Sequence, residues 1–281
     1  MHSRGELAGR SLSRVVYVAL AVAFLPALGA LARAWSEAEY QSHGFVVPFV
    51  AGWIAWAGRE RCGRLPSSIE ARGAVLFAVA LAAYAFGLLA GSTTAEGLAL
   101  VAAIAGAVWW REGGRRLRAL AFPIGFLLFM VPIPLDWVSP VLVRLLLVVS
   151  SMAAALLPVL GVPVARNGNV LVFEDGASLV VAEGCSGLTA ILTLLPIAVL
   201  IAHLSPLRPM RRATLVALAL PIAMGANLLR VVATALAARI WDPSTVTSDP
   251  WHSLGGLAIY AVACLVLLAT ERALRPSRVA A

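Results

Sequence analysis

The sequence predicts an all-α polytopic membrane protein, and three observations carry that prediction. Of the 281 residues, 61% are apolar and only 13% are charged, with a mean hydropathy of +0.90. That balance lies far from the composition of water-soluble globules. The apolar residues fall into runs of the length needed to cross hydrocarbon. The 22 basic residues are all arginine and sit in short clusters between those runs, as they do in loops on the cytoplasmic side of a membrane. The net charge of +8 therefore reads as membrane topology and not as a nucleic-acid surface.

About eight transmembrane helices are expected, near 15–33, 45–58, 74–91, 95–110, 119–135, 187–204, 214–238 and 254–270. Arg4, Arg10 and Arg14 precede the first, and Arg59, Arg61, Arg64 and Arg72 follow the second. Arg111, Arg115, Arg116 and Arg118 follow the fourth, Arg208, Arg211 and Arg212 the sixth, and Arg272, Arg275 and Arg278 the last. Seventeen of the 22 arginines then share one side, which the positive-inside rule makes cytoplasmic, with both termini inside. A further apolar stretch, 139–162, would invert every later cluster if it crossed. Parity therefore assigns it as a re-entrant or interfacial helix, in keeping with Arg144, Pro140 and Pro158. The segment VLVFEDGASLVV (170–181) has β-branched and apolar residues on both sides of Asp175-Gly176, the pattern of a small β-hairpin. It would be extracytoplasmic.

This topology brings segment 40–45, the loop around Cys185 and the loop 239–252 to one outer face. Cys185 in VVAEGCSGL immediately precedes an apolar helix, so a thiolate there would face the unsatisfied amides of a helix N-terminus. Gly184 and Gly187 leave room for a substrate backbone, and Ser186 is a plausible N-cap. Arg230 lies within an apolar run, where an arginine costs roughly 2.5–3.5 kcal/mol at the bilayer centre. Snorkelling from the outer end lowers that cost, and Asn227 shares its helical face, so the two present an amide and a guanidinium together. His252 follows Trp251 at the start of the last span, and Gly255 and Gly256 would let that helix pack closely. A thiol nucleophile, a guanidinium for an oxyanion and an imidazole for proton transfer are the parts of a cysteine acyl-transfer site. His43 and Glu183 are secondary candidates on the same face, Glu183 to orient the histidine or read a substrate charge. Cys62 and Cys264 are expected in a cytoplasmic loop and mid-span, and three scattered cysteines form neither a disulfide framework nor a metal site.

The motifs resemble those of the exosortase/archaeosortase family of multi-spanning cysteine transpeptidases. The resemblance runs through YQSHGFVVP (40–48), FMVPIP (129–134), GVPVARNGNVLVF (161–173), EGCSGL (183–188), N-x-x-R-V at Asn227 and Arg230, and H-x-x-x-G at His252. It implies that Cys185 is the nucleophile, Arg230 the transition-state stabiliser and His252 the acid/base. The implied substrates are exported proteins with a C-terminal sorting signal: a short motif such as Pro-Glu-Pro, a membrane helix and a basic cluster. The enzyme would cleave near the motif and pass the acyl group to an acceptor in the cell envelope, without cofactor or metal. Gly184, Thr189 and Ser253 stand where the family commonly has alanine, arginine and aspartate.

These readings describe a single integral membrane domain, 1–281, with its catalytic half at roughly 161–270. It would sit in the cell (inner or plasma) membrane, among lipid, with its active site on the extracytoplasmic side. Two other functions compete. Gly184-Cys185-Ser186-Gly187 also reads as the G-x-S-G of a rhomboid-like serine protease using Ser186 and His252. A small-solute transporter would instead line a pathway with Arg230 and Asn227.

Overall fold

A computed structural model of the chain describes residues 15–241 and 251–275. It is mostly helical and divides into two compact units, 1–134 and 135–281. Leu89 (89% exposed), Phe49 (79%) and Val159 (79%) stand among many large apolar side chains turned outward, as expected where the surrounding medium is lipid.

In the first unit, α1 (Val15–Ala23) and α2 (Leu25–Glu37) meet at a bend of 48°. Pro26 in the first turn of α2 explains the break, because its ring cannot fit the ladder continuing from α1. A 3₁₀ turn, Glu39–Phe45, leads into α3 (Val47–Ala57) and the short α4 (Arg59–Gly63). The helices α5 (Ala71–Ala90) and α6 (Thr93–Glu112) form a hairpin. Gly91 closes α5 in the left-handed region (φ 62°), and Ser92 caps α6 by accepting the Ala95 N–H at 3.3 Å. Their backbones touch at glycines: a Cβ on Gly106 would lie 2.7 Å from the Phe77 amide nitrogen, and one on Gly73 would overlap the Trp110 backbone. Glu70 locks the arginine-rich end of this hairpin, accepting from Gly114 N–H and Trp109 Nε1–H, each at 2.8 Å. Then come α7 (Gly114–Ala119), α8 (Ala121–Phe126) and a 3₁₀ turn at Leu127–Met130.

The second unit opens with α9 (Leu135–Leu156), followed by β1 (Val164–Asn167), β2 (Val170–Phe173) and β3 (Ser178–Val180). The strands form an antiparallel sheet in the order β1-β2-β3. The turn expected at Asp175-Gly176 is present, with Gly176 at φ 82° and Asp175 Oδ1 accepting the Ala177 N–H at 3.1 Å. The strand β1 was outside the expected hairpin, since Pro163 and the polar Arg166-Asn167 mask its alternation. The helices α10 (Leu188–Leu204), α11 (Pro209–Ile240) and α12 (Trp251–Leu274) pack around Leu194, Ala198, Leu215, Ala219, Ala263 and Leu267. Ser205 donates to Glu271, which also receives Arg275 Nε–H at 3.0 Å.

The count of eight spans is not reproduced. By length and composition, five described helices can cross a membrane, or six if the bent pair α1–α2 is one span. The expected span 45–58 holds only the 11-residue α3, about 16 Å long against roughly 30 Å of hydrocarbon. The expected span 119–135 has only Ala121–Met130 as a short apolar helix, because Pro132 and Pro134 cannot extend it. Leu188–Leu204 reaches 17 residues, about 26 Å. Conversely, the stretch 139–162, assigned by parity as re-entrant or interfacial, belongs to an apolar helical stretch of 25 residues, Asp136–Leu160, long enough to span. Pro140 costs it one backbone bond without ending the helix.

Candidate active site

Beyond β3 the chain is tied once more to the sheet, Val181 N–H donating to Asn169 O at 2.9 Å and Asn169 Nδ2–H to Val181 O at 3.0 Å. It then winds into a 3₁₀ turn, Glu183–Cys185, closed by Cys185 N–H on Ala182 O at 2.9 Å. Residues 184–190 are all buried. Gly187 takes φ 90° as the N-cap of α10, a conformation natural to glycine. A side chain there would also collide with Met224, whose Sδ would lie 2.8 Å from the new Cβ. Ser186, expected as the N-cap, stands one residue earlier and is fully buried, with its Oγ accepting the Leu188 N–H at 3.2 Å.

The helix α11 supplies the groups that hold this turn. Asn227 Nδ2–H donates to Cys185 O at 2.6 Å, and Arg230 Nη1–H to Gly184 O at 3.4 Å. One helical turn separates them, so they share the face turned toward the cysteine. Both are buried, at 3% and 6% exposure. On its other side the guanidinium lies against α12, where a Cβ on Gly256 would sit 3.1 Å from Arg230 Cζ and Nη2. Gly255 meets nothing within 4 Å, so of the two glycines only Gly256 is the point of close approach. Cys185 is itself buried, at 7% exposure, and is free of any disulfide, as are Cys62 and Cys264.

The side chains of Glu183 and His252 lie outside the described residues, as does most of the loop 239–252. Three further contacts of the second unit escaped the sequence reading. Asn169 fastens the strand that leads to the thiol, Met224 packs on Gly187, and Thr189 buries its hydroxyl at 6% exposure beside the turn. Thr189 registered only as a departure from the family pattern. Arg239 pins the β2–β3 turn to the end of α11 through Asp175 at 2.6 Å, a half-exposed pair contributing about 0–1 kcal/mol.

His43 belongs to the first unit. Its Nε2 is 3.0 Å from Phe129 O, while Trp35 Nε1–H donates to Met130 O at 2.8 Å and Thr94 Oγ1–H to Pro132 O at 2.8 Å. Burial pushes the His43 imidazole below its ordinary value. Gly44 lies flat beneath the Trp35 indole, with no room for a Cβ. The segments YQSHGF and FMVPIP thus meet within the first unit through His43 and Phe129 O, while Trp35 and Thr94 bind two further carbonyls of the second segment.

A family model described as transmembrane exosortase matches residues 35–269. No curated protein and no solved structure matches the chain. The matched stretch takes in the His43 turn, the sheet, the Cys185 turn, Asn227 and Arg230 of α11 and most of α12, so the chain belongs to the transmembrane exosortase family, a membership that suggests a membrane transpeptidase or protein-sorting function.

Proposed function

We propose that this exosortase is a cysteine transpeptidase in which Cys185 is the nucleophile, Arg230 the oxyanion stabiliser and His252 the acid/base. The observation that carries this reading is the grip of α11 on the cysteine turn: Asn227 on the Cys185 carbonyl at 2.6 Å and Arg230 on the Gly184 carbonyl at 3.4 Å. A buried guanidinium that donates to the carbonyl of the residue before Cys185 is a preorganised positive charge available to a tetrahedral oxyanion. Position 252 lies one helical turn before Gly256 in α12, on the same face as the glycine that meets Arg230, which supports His252 as the third member.

The Cys185 thiolate attacks the scissile carbonyl, and the tetrahedral intermediate is held by Arg230. Collapse breaks the C–N bond, with the proton for the leaving amine coming from the His252 imidazolium, and leaves a thioester on Cys185. The neutral imidazole then takes the proton of the incoming nucleophile, which attacks the thioester and restores the thiolate. The substrates are exported proteins with a C-terminal sorting signal of the Pro-Glu-Pro kind, and the acyl group passes to a cell-envelope acceptor. The protein spans the cell membrane with this site on the extracytoplasmic side, and residues 161–270 form its catalytic part. Ser186 is a poorer nucleophile, because its Oγ is fully buried and occupied by the Leu188 N–H.

Co-expression with an exported reporter bearing such a signal tests the reading, following gel mobility and product mass. Cys185→Ala is expected to abolish processing, and Ser186→Ala to retain it; the product mass separates transfer from hydrolysis. Processing by Cys185→Ala would overturn the thiol mechanism.

A further inference from the structure

The sheet that delivers the chain to the thiol has an open edge. Among the described residues, β3 in the order β1-β2-β3 has a strand partner on one side only. The phase of its ladder follows from two bonds, Phe173 N–H to Ala177 O at 2.8 Å and Val181 N–H to Asn169 O at 2.9 Å. These flank the pair Leu171↔Leu179 by two residues on each side. Hydrogen-bonded positions alternate along an antiparallel pair, so Leu179 turns its N–H and C=O to β2 while Ser178 and Val180 turn theirs away. Among the described residues no hydrogen bond reaches those outward groups. The strand is meanwhile well anchored, with Leu179 and Val181 buried at 5% and 3% exposure and Val180 59% exposed.

An unpaired edge is a template for another strand. It cannot face hydrocarbon, where each unsatisfied group costs several kcal/mol, so this edge lies in water or against a polar partner. Where β3 goes identifies that partner. Three residues past Val180 the chain enters the turn Glu183–Cys185, so a peptide paired along the edge is led to the thiol. Attack on a scissile carbonyl needs that peptide extended and held in register, which a backbone ladder supplies without a pocket for each side chain.

We propose that the substrate adds to β3 as a further strand, its extended segment beside the scissile bond pairing with the outward N–H and C=O groups of Ser178 and Val180. The proposal rests on Cys185 being the nucleophile. It makes the backbone the main element of recognition, with alternate substrate side chains meeting the faces of the sheet.

Val180→Pro removes one outward N–H and leaves the ladder to β2 intact, and proline is tolerated on sheet edges. By the same alternation Arg166 points outward on the opposite edge, β1, so Arg166→Pro is the matched control. Val180→Pro is expected to slow processing of the reporter about tenfold, the loss of one backbone bond to substrate. Arg166→Pro should stay within about twofold of wild type.

A second measurement needs no turnover. In a chain whose three natural cysteines are alanine, Ser178→Cys or Val180→Cys should form disulfides with cysteines scanned through the reporter segment, at alternate positions and in one register. Wild-type processing by Val180→Pro would overturn the proposal, as would cross-links at every reporter position or at none. Alternate cross-links together with processing by Cys185→Ala would leave the docking edge standing and remove the nucleophile. Loss of processing in Cys185→Ala without alternate cross-links would do the reverse.

Discussion

Replacing Asn227 by alanine deletes the amide that donates to the Cys185 carbonyl at 2.6 Å. The donor residue is 3% exposed and the acceptor residue 7%, so solvent does not simply replace the bond. A buried carbonyl left without a donor costs about 1–3 kcal/mol. In a chain of this size that is a fall of roughly 2–10 °C in unfolding midpoint. The acceptor is the backbone of the residue that carries the thiol, so any relaxation moves the nucleophile as well. A misplacement on the order of 1 Å costs about 100-fold in rate. Asn227→Asp is the sharper variant, since it keeps the shape and, when ionised, sets oxygen against oxygen.

Thermal unfolding in detergent, combined with reporter processing, reads both effects. The stability loss should be the same in a Cys185→Ala background, because the bond is to the main chain and not to the thiol. If Asn227→Ala and Asn227→Asp both unfold and process like wild type, the clamp is not what positions Cys185.

Gly187→Ala should destabilise in two separable parts: about 1–2 kcal/mol for placing an L-residue in the left-handed region, and a steric part from Met224 Sδ at 2.8 Å. Met224→Ala should relieve only the second, so full rescue in the double variant, measured by thermal unfolding, would refute the backbone share. Glu70 is held below the usual carboxylate range, first by the Gly114 N–H and then by Trp109 Nε1–H. A depressed folded value means that its stabilisation is complete above the unfolded value and is lost as pH falls through the folded one. The unfolding midpoint of wild type should therefore drop below about pH 4.5 by a component that is missing in Glu70→Gln, and identical pH profiles would contradict this. An impermeant thiol reagent on intact cells should reach Cys185, slowly because it is buried, and should reach Cys62 only after the membrane is opened. The reverse pattern would invert the proposed orientation.

The sequence was most legible where structure is local. Apolar runs became helices, and Asp175-Gly176 became a turn because an Asx contact and a positive φ need only adjacent residues. The number of spans was less legible, because apolar length was counted where an unbroken hydrogen-bond ladder was the relevant quantity. Pro26 and the Pro132–Pro134 pair interrupt that ladder in two apolar runs, whereas Pro140 does not end α9. The parity argument for 139–162 rested on the placement of charge alone, which does not register that Asp136–Leu160 is long and apolar enough to cross.

At the candidate site, residue types and their order were readable, and so was the shared face of Asn227 and Arg230, which follows from a three-residue spacing on a helix. What only the tertiary structure decided is which atom each group meets. Asn227 reaches a carbonyl 42 residues away, His43 one 86 residues away, and Trp109 a carboxylate 39 residues away. No local periodicity encodes such pairs, because they depend on how helices pack. By itself the sequence determined a membrane-embedded helical protein with a cysteine, an arginine and a histidine in family order. Packing turned that order into a geometry, with α11 and the sheet closing on the Cys185 turn from directions that only the folded chain defines.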